Sequence, residues 1–143
     1  MHAHKLFLII SFLSISISTN LFSASSSQAP QTVSFTKKEI TIPLNQACKI
    51  IGLLNRLHKD APLKFQQLCQ LCQSDGDSQL TPSDTMFLAE YKFTTLLFTN
   101  LQNSTKYWII DPAGKLSPTS KNLFLGLITH KDAILTAKES LSL

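Results

Sequence analysis

Three cysteines, Cys48, Cys69 and Cys72, are the residues of this chain best suited to covalent chemistry. Cys69 and Cys72 are separated by two residues, a spacing that occurs in reactive dithiols and in metal sites. In an oxidising compartment such cysteines instead form structural disulfides. The sequence leaves three uses open: a disulfide from Cys48 to Cys69 or Cys72, a redox-active pair, and a zinc site with His58 as fourth ligand.

The redox use would require a thiol whose pKa is lowered. In thioredoxin-like enzymes the paired cysteines begin a helix, and the helix dipole there favours the thiolate. The stretch from Trp108 to Leu116 is similar to the late strand–turn–strand of that family, and the resemblance implies a thiol–disulfide oxidoreductase that uses Cys69 and Cys72. Because these cysteines come near the end of a predicted helix, we interpret them as structural. One thiol would be left over, and it could link two copies of the chain.

An acidic stretch at residues 73–84 (QSDGDSQLTPSD) raises the question of calcium. Its spacing resembles the twelve-residue loop of EF-hand and dockerin proteins, which implies a calcium site formed by Asp75, Asp77, Gln79 and Asp84. The first loop position, however, holds Gln73 instead of a carboxylate. Asp-Gly also favours a turn, and a Thr followed three residues later by Asp caps a helix. We therefore favour a polar turn between two helices, with calcium as the alternative.

Other enzyme classes have little support. The chain has no Gly-x-Ser-x-Gly and no His-Glu-x-x-His motif, and after residue 25 its histidines are only His58 and His130. It has four glycines, fewer than the roughly ten that average usage gives, which argues against a phosphate-cradling loop. The net charge of +4 is dispersed and includes no basic stripe, so we expect no nucleic-acid partner.

The N-terminus has the three-part pattern of an export signal. A cationic start is followed by an uncharged apolar run at residues 6–17 and then by small polar residues. The run is too short for a membrane helix, which takes about 20 residues. We predict a signal peptide at 1–25, a disordered leader at 26–32 and a single domain at 33–143, with no stable membrane span after processing. An anchor that is not cleaved is the alternative.

Periodicity predicts a mostly helical α+β domain. Residues 33–42 alternate like one kinked strand or two short strands, whereas 47–58 and 62–73 have helical spacing. Thr81 is a good helix N-cap, and the apolar stretch 86–101 predicts a central core helix. Residues 106–116 predict a strand, turn and return strand, completing a small antiparallel sheet with 33–42. The segment 118–139 is predicted to be helical; a strand at 123–128 followed by a helix is the competing split.

These features predict an exported, non-enzymatic binding or interaction protein of the periplasm, cell envelope or extracellular space, whose protein partner the sequence does not identify. The thiol–disulfide oxidoreductase and the EF-hand-like calcium protein are the alternatives. No cofactor is expected unless the acidic loop binds calcium.

Overall fold

The computed structural model describes residues 15–18, 31–35 and 39–141, so most of the predicted signal and leader lies outside the described residues. The described part forms five helices and three small antiparallel sheets. The helices are α1 (Leu44–Asp60), α2 (Pro62–Cys72), α3 (Pro82–Ala89), α4 (Pro118–Thr129) and α5 (Lys131–Leu141). The strands are β1 (Ile15–Ser18), β2 (Thr32–Phe35), β3 (Ile40–Pro43), β4 (Ser78–Gln79), β5 (Leu97–Asn100), β6 (Thr105–Trp108) and β7 (Lys115–Leu116).

The strands β2 and β3 form a hairpin because their apolar residues alternate. Val33 pairs with Ile42, and Phe35 pairs with Ile40. All four side chains are buried on one face, as the period of two requires. The chain reverses through Glu39, whose φ of 49° is left-handed. The predicted strand region 33–42 is therefore two short strands, and Thr32, which the prediction assigns to the leader, already belongs to β2.

The helices α1 and α2 cover the two regions, 47–58 and 62–73, for which the sequence predicts helices, and they pack against each other. α1 buries apolar residues at helical spacing, among them Ile50, Leu54 and Leu57. The break falls at Ala61, and Pro62 occupies the first turn of α2, where its missing N–H costs no hydrogen bond. α1 packs against α2, α4 and α5, and it also contacts β3.

The predicted core helix at 86–101 is wrong. The helix α3 ends at Ala89, and Lys92 adopts a left-handed φ of 70°. The Phe93 N–H then bonds back to the Leu88 carbonyl, a closure typical of helix C-termini, and buries the Phe93 ring. Downstream residues pair as the β5–β6 hairpin, and this strand pairing overrides the apolar helical window.

The predicted single sheet from 33–42 and 106–116 is also wrong, because its strands belong to three separate sheets. β6 pairs with β5, and β7 pairs with β4. The turn between β5 and β6 is closed locally, since Asn103 Oδ1 accepts a hydrogen bond from the Thr105 N–H and Ser104 has a φ of 59°. The strand β6 therefore pairs with β5, its neighbour in sequence, and not with β2.

The most enclosed helix is α4. Leu123, Phe124 and Leu127 are fully buried, and the Phe124 ring meets the Phe93 ring edge-on at 5.9 Å. The predicted C-terminal helical region is interrupted at His130, where α4 ends and α5 begins. The α+β, predominantly helical fold class is confirmed. Within the described ranges, no helix has the length and apolar character needed to cross a bilayer.

Candidate binding groove between α2 and α3

The helices α2 and α3 enclose an open groove. α2 lines it with Lys64, Gln67, Leu68 and Leu71, which follow the i, i+3, i+4, i+7 spacing of one helix face. α3 and its cap line it with residues of comparable spacing, namely Thr81, Asp84, Phe87 and Leu88. Two helix faces therefore converge on one volume of about 320 Å³.

The floor of the groove is apolar. Leu68, Leu80 and Leu88 are nearly buried, and Leu71 and Phe87 are half-buried beside them. Burial of these leucines fixes the distance between the helices, because interior side chains are close-packed. The groove thus lies at the edge of the hydrophobic core, and its walls are held in place by buried residues of α2 and α3.

An ion pair joins the two walls. Lys64 Nζ donates a hydrogen bond to Asp84 Oδ1 at 2.6 Å, and the two side chains are 41% and 29% exposed. Lys64 Nζ also lies 5.9 Å from the centre of the Phe87 ring. The hydrogen bond from Lys64 lowers the pKa of the Asp84 carboxyl below its ordinary value, against a smaller opposing effect of burial. The positive charge of Lys64 on α2 and the negative charge of Asp84 on α3 therefore neutralise each other.

The sharp turn after β6 holds one end of the groove. Gln79 Nε2 donates to the Ala113 carbonyl at 2.7 Å, and the Leu80 N–H donates to the Gly114 carbonyl. Gly114 has a φ of 86°, and a Cβ at this position would overlap Thr85 Oγ1 in α3. A glycine is thus required both by the turn and by the close approach of α3.

The acidic loop that resembles a calcium site does not bring its four candidate ligands together in this structure. Asp77 pairs with Lys115 at 3.4 Å, Asp84 lies in the first turn of α3, and Gln79 belongs to β4. Asp75 is exposed. No cluster of three or more His, Cys, Asp or Glu side chains suited to a metal ion occurs in the described part of the chain. Calcium binding stays an untested prediction.

The ammonium group of Lys121 binds the backbone of this loop. The Lys121 side chain is 2% exposed, and its Nζ donates to the Gly76 carbonyl at 2.7 Å, to Ser74 Oγ at 3.0 Å and to the Ser74 carbonyl at 3.2 Å. Sequence reasoning missed this residue. The available signal was its position three residues before Phe124, on an apolar row of α4 where a lysine needs buried acceptors.

The three cysteines are free thiols, and none of their pairs lies at disulfide distance. Burial raises the thiol pKa of Cys69 and, more strongly, that of Cys72; burial also raises the pKa of Cys48, partly offset by Lys138. Cys69 and Cys72 lie in the last turn of α2, the negative end of its dipole. Both effects disfavour the thiolate. The predicted Cys48 disulfide stays a prediction, which thiol titration of the unfolded chain decides.

The two histidines in the described part of the chain lie at helix ends. His58, in the last turn of α1, stacks on the Phe65 ring with centroids 4.3 Å apart, so it bridges α1 and α2. His130 follows α4 and begins the turn into α5. The zinc site predicted for His58 and the three cysteines has no support in the described residues.

Comparison of the chain with protein-family models, with curated proteins and with solved structures found no match.

Proposed function

We propose that this chain is an exported, non-enzymatic binding protein that docks an apolar polypeptide segment in the groove between α2 and α3. The observation that carries the proposal is the convergence of two helix faces on an open, apolar volume whose flanking charges are already paired. A groove of this kind favours side chains that leave water without bringing a charge of their own.

The size of the groove favours side chains over an enclosed cofactor. Ligand pockets typically measure about 300 to 1,000 Å³ and bury most of the ligand surface. At about 320 Å³ the groove lies at the lower limit and is open along one side. It accommodates one or two bulky side chains, as a helix or extended peptide presents them to a groove.

Exposed residues of α2 and α3 fit a polypeptide occupant. Leu63 and Met86 do not line the groove, but they are 74% and 73% exposed on the two helices that form it. Large exposed apolar side chains are typical of interaction surfaces. The Gln67 amide is exposed and makes no hydrogen bond with the described residues, so it can bond a peptide backbone.

The cysteines favour this proposal over the oxidoreductase. A catalytic thiol needs a lowered pKa and access to its substrate. Cys72 is 3% exposed with a raised pKa, and Cys69 has a raised pKa as well. Neither cysteine lines the groove.

The export part of the proposal is supported by the charge and apolar pattern of residues 1–25. Expression of the full chain in a host with a secretion pathway tests it. We expect the protein in the exported fraction with an N-terminus near residue 26, measured by intact mass. Recovery of the intact chain from the cytoplasm would contradict export and leave the groove untouched.

Peptide selection tests the groove. We expect a random peptide library, selected on the purified protein, to yield sequences that share one or two large apolar residues. Titration of such a peptide into ¹⁵N-labelled protein should shift the amides of Gln67, Leu71 and Asp84 more than those of α5. No enrichment, or shifts confined to another surface, would refute the proposal.

A further inference from the structure

The two edges of the sheet β1–β2–β3 are closed in different ways. At the β3 edge, the Thr41 N–H donates to Asn100 Oδ1 at 3.0 Å, and the Thr41 carbonyl accepts from the Leu101 N–H at 2.6 Å. Asn100 is 4% exposed, so this edge is sealed by a buried residue from the folded body of the domain. Bare strand edges pair readily with other chains, and this one is protected.

The β2 edge is closed by β1. The strands are antiparallel, with Ile15 opposite Phe35, Ser16 opposite Ser34 and Ile17 opposite Val33. The Gln31 carbonyl accepts from the Leu44 N–H on the β3 side. Because backbone groups alternate between the two sides of a strand, the N–H and C=O groups of Thr32 and Ser34 face β1.

The strand β1 lies within the predicted signal peptide, at the end of its apolar run. Removal of residues 1–25 on export therefore removes β1. The N–H and C=O groups of Thr32 and Ser34 then lose their partners along the β2 edge. This step rests on the export part of the proposed function, and it does not involve the groove.

The sequence of β2 itself can replace β1. In β1, isoleucines stand opposite Val33 and Phe35, and a serine stands opposite Ser34. Val33-Ser34-Phe35 has the same alternation in either direction. A second copy of β2, antiparallel and centred on Ser34, therefore sets Val33 opposite the partner's Phe35 and keeps every apolar residue on the core-facing side.

We propose that the processed chain forms a two-fold dimer through the outer edges of β2, with Ser34 of each copy on the axis. The groups of Ser34 that face outward exchange N–H···O=C hydrogen bonds with the same groups of the partner's Ser34. The interface is isologous, because the same edge serves both copies.

Unfilled space lies beside the start of β2. A cavity of about 580 Å³ is lined by Gln31, Leu44, Lys138 and Leu141, among others. In the described part of the chain, Gln31 Oε1 is the buried side-chain oxygen that has no hydrogen-bond partner.

A short strand pair alone buries less than the roughly 1,200 Å² of stable interfaces, so we expect the dimer to dissociate on dilution.

Two substitutions at one position test the dimer. Ser34→Pro removes the outward N–H and leaves the β2–β3 hydrogen bonds of Val33 and Phe35 in place. Ser34→Ala is the matched control, because it loses the same side-chain bond to Thr41 Oγ1 and keeps the N–H. Light scattering of the processed protein over a dilution series should show a dimer for wild type and Ser34→Ala, and a monomer for Ser34→Pro.

Cross-linking provides a second measurement in case Ser34→Pro does not fold. Paired Cα atoms of hydrogen-bonded neighbours lie about 5.5 Å apart, within the range of a disulfide. Oxidised Ser34→Cys should give a covalent dimer at least tenfold faster than Lys106→Cys, an exposed strand position in β6.

Three results would overturn the dimer. The first is a purified chain that retains β1; this also contradicts export. The second is a processed chain that stays monomeric at every concentration, which leaves export and the groove standing. The third is a monomer that binds a synthetic Ser-Ile-Ser-Ile peptide at β2, which shows an open edge that takes a different strand.

Discussion

The ammonium group of Lys121 fills the loop whose spacing resembles a calcium site. Its three acceptors belong to Ser74 and Gly76, in the turn that follows α2. Lys121 thereby ties the end of α2 to α4.

We expect Lys121→Met to lower the free energy of unfolding by about 1.5 to 3 kcal/mol, because hydrogen bonds to a charged donor are lost inside the protein. Lys115→Met is the matched control. Its ion pair with Asp77 is about half exposed, so it should cost less than about 1 kcal/mol. Urea unfolding measures both. Equal losses would show that the buried ammonium is not a structural tie.

The Asp84 carboxyl, which joins the walls of the groove, should make stability depend on pH. Its pKa is lowered in the folded state by the hydrogen bond from Lys64. The ion pair therefore stabilises above the unfolded pKa, and the contribution disappears as pH falls through the lower folded value. The stability difference between wild type and Asp84→Asn should narrow below about pH 4. A difference that is constant from neutral pH to pH 3 would contradict the pairing.

At the scale of elements, α3 is a short wall that depends on its N-cap. Thr81 Oγ1 accepts from the Asp84 N–H, and Ser117 Oγ accepts from the Ser120 N–H at the start of α4. Thr81→Ala and Ser117→Ala should each cost about 1 kcal/mol in urea unfolding. Only Thr81→Ala should also weaken peptide binding, because α3 lines the groove and α4 does not. If Thr81→Ala and Ser117→Ala changed the peptide affinity equally, peptide binding would not depend on α3.

Two helical glycines should respond to alanine with opposite signs. A Cβ at Gly126 in α4 would lie 2.5 Å from the buried Phe35 ring, and the strain should cost about 1 to 3 kcal/mol. At Gly52 in α1, the same Cβ would meet no side chain or other element of the described residues within 4 Å, so Gly52→Ala should stabilise by about 0.5 to 1 kcal/mol. Thermal unfolding of both variants checks the packing of α4 on β2. A Gly126→Ala protein as stable as wild type would contradict it.

At the scale of the whole molecule, local patterns predicted the elements better than their partners. The alternation of β2 and β3, the helical spacing of α1 and α2 and the Thr81 cap were predictable, because each depends on neighbours in sequence. The end of α3 was not, since it depends on burying Phe93 in the core. The β5–β6 hairpin was missed for a different reason: the apolar residues at 86–101 have helical spacing, which hid the strand β5.

The groove itself could not be predicted. Its lining residues Lys64, Gln67 and Leu71 are visible at helical spacing in the sequence. Which helix face stays open is decided by the packing of α2 on α1 and α4, a relation that no local pattern contains. Carboxylates have a known ligand chemistry, so the acidic loop predicts a metal site from sequence. Lys121, in contrast, resembles an ordinary polar residue of a helix.

The most direct test of the groove compares two arginine variants of α2 for affinity toward one selected peptide. Gln67→Arg places a long charged side chain in the groove, and Gln66→Arg makes the same change at the exposed neighbouring position, which does not line it. Both positions are exposed, so both variants should fold as wild type does. We predict that Gln67→Arg weakens peptide binding at least tenfold and that Gln66→Arg leaves it within about twofold, a loss above roughly 1.4 kcal/mol for the first variant alone. Equal affinity of the two variants would contradict the groove as the binding site.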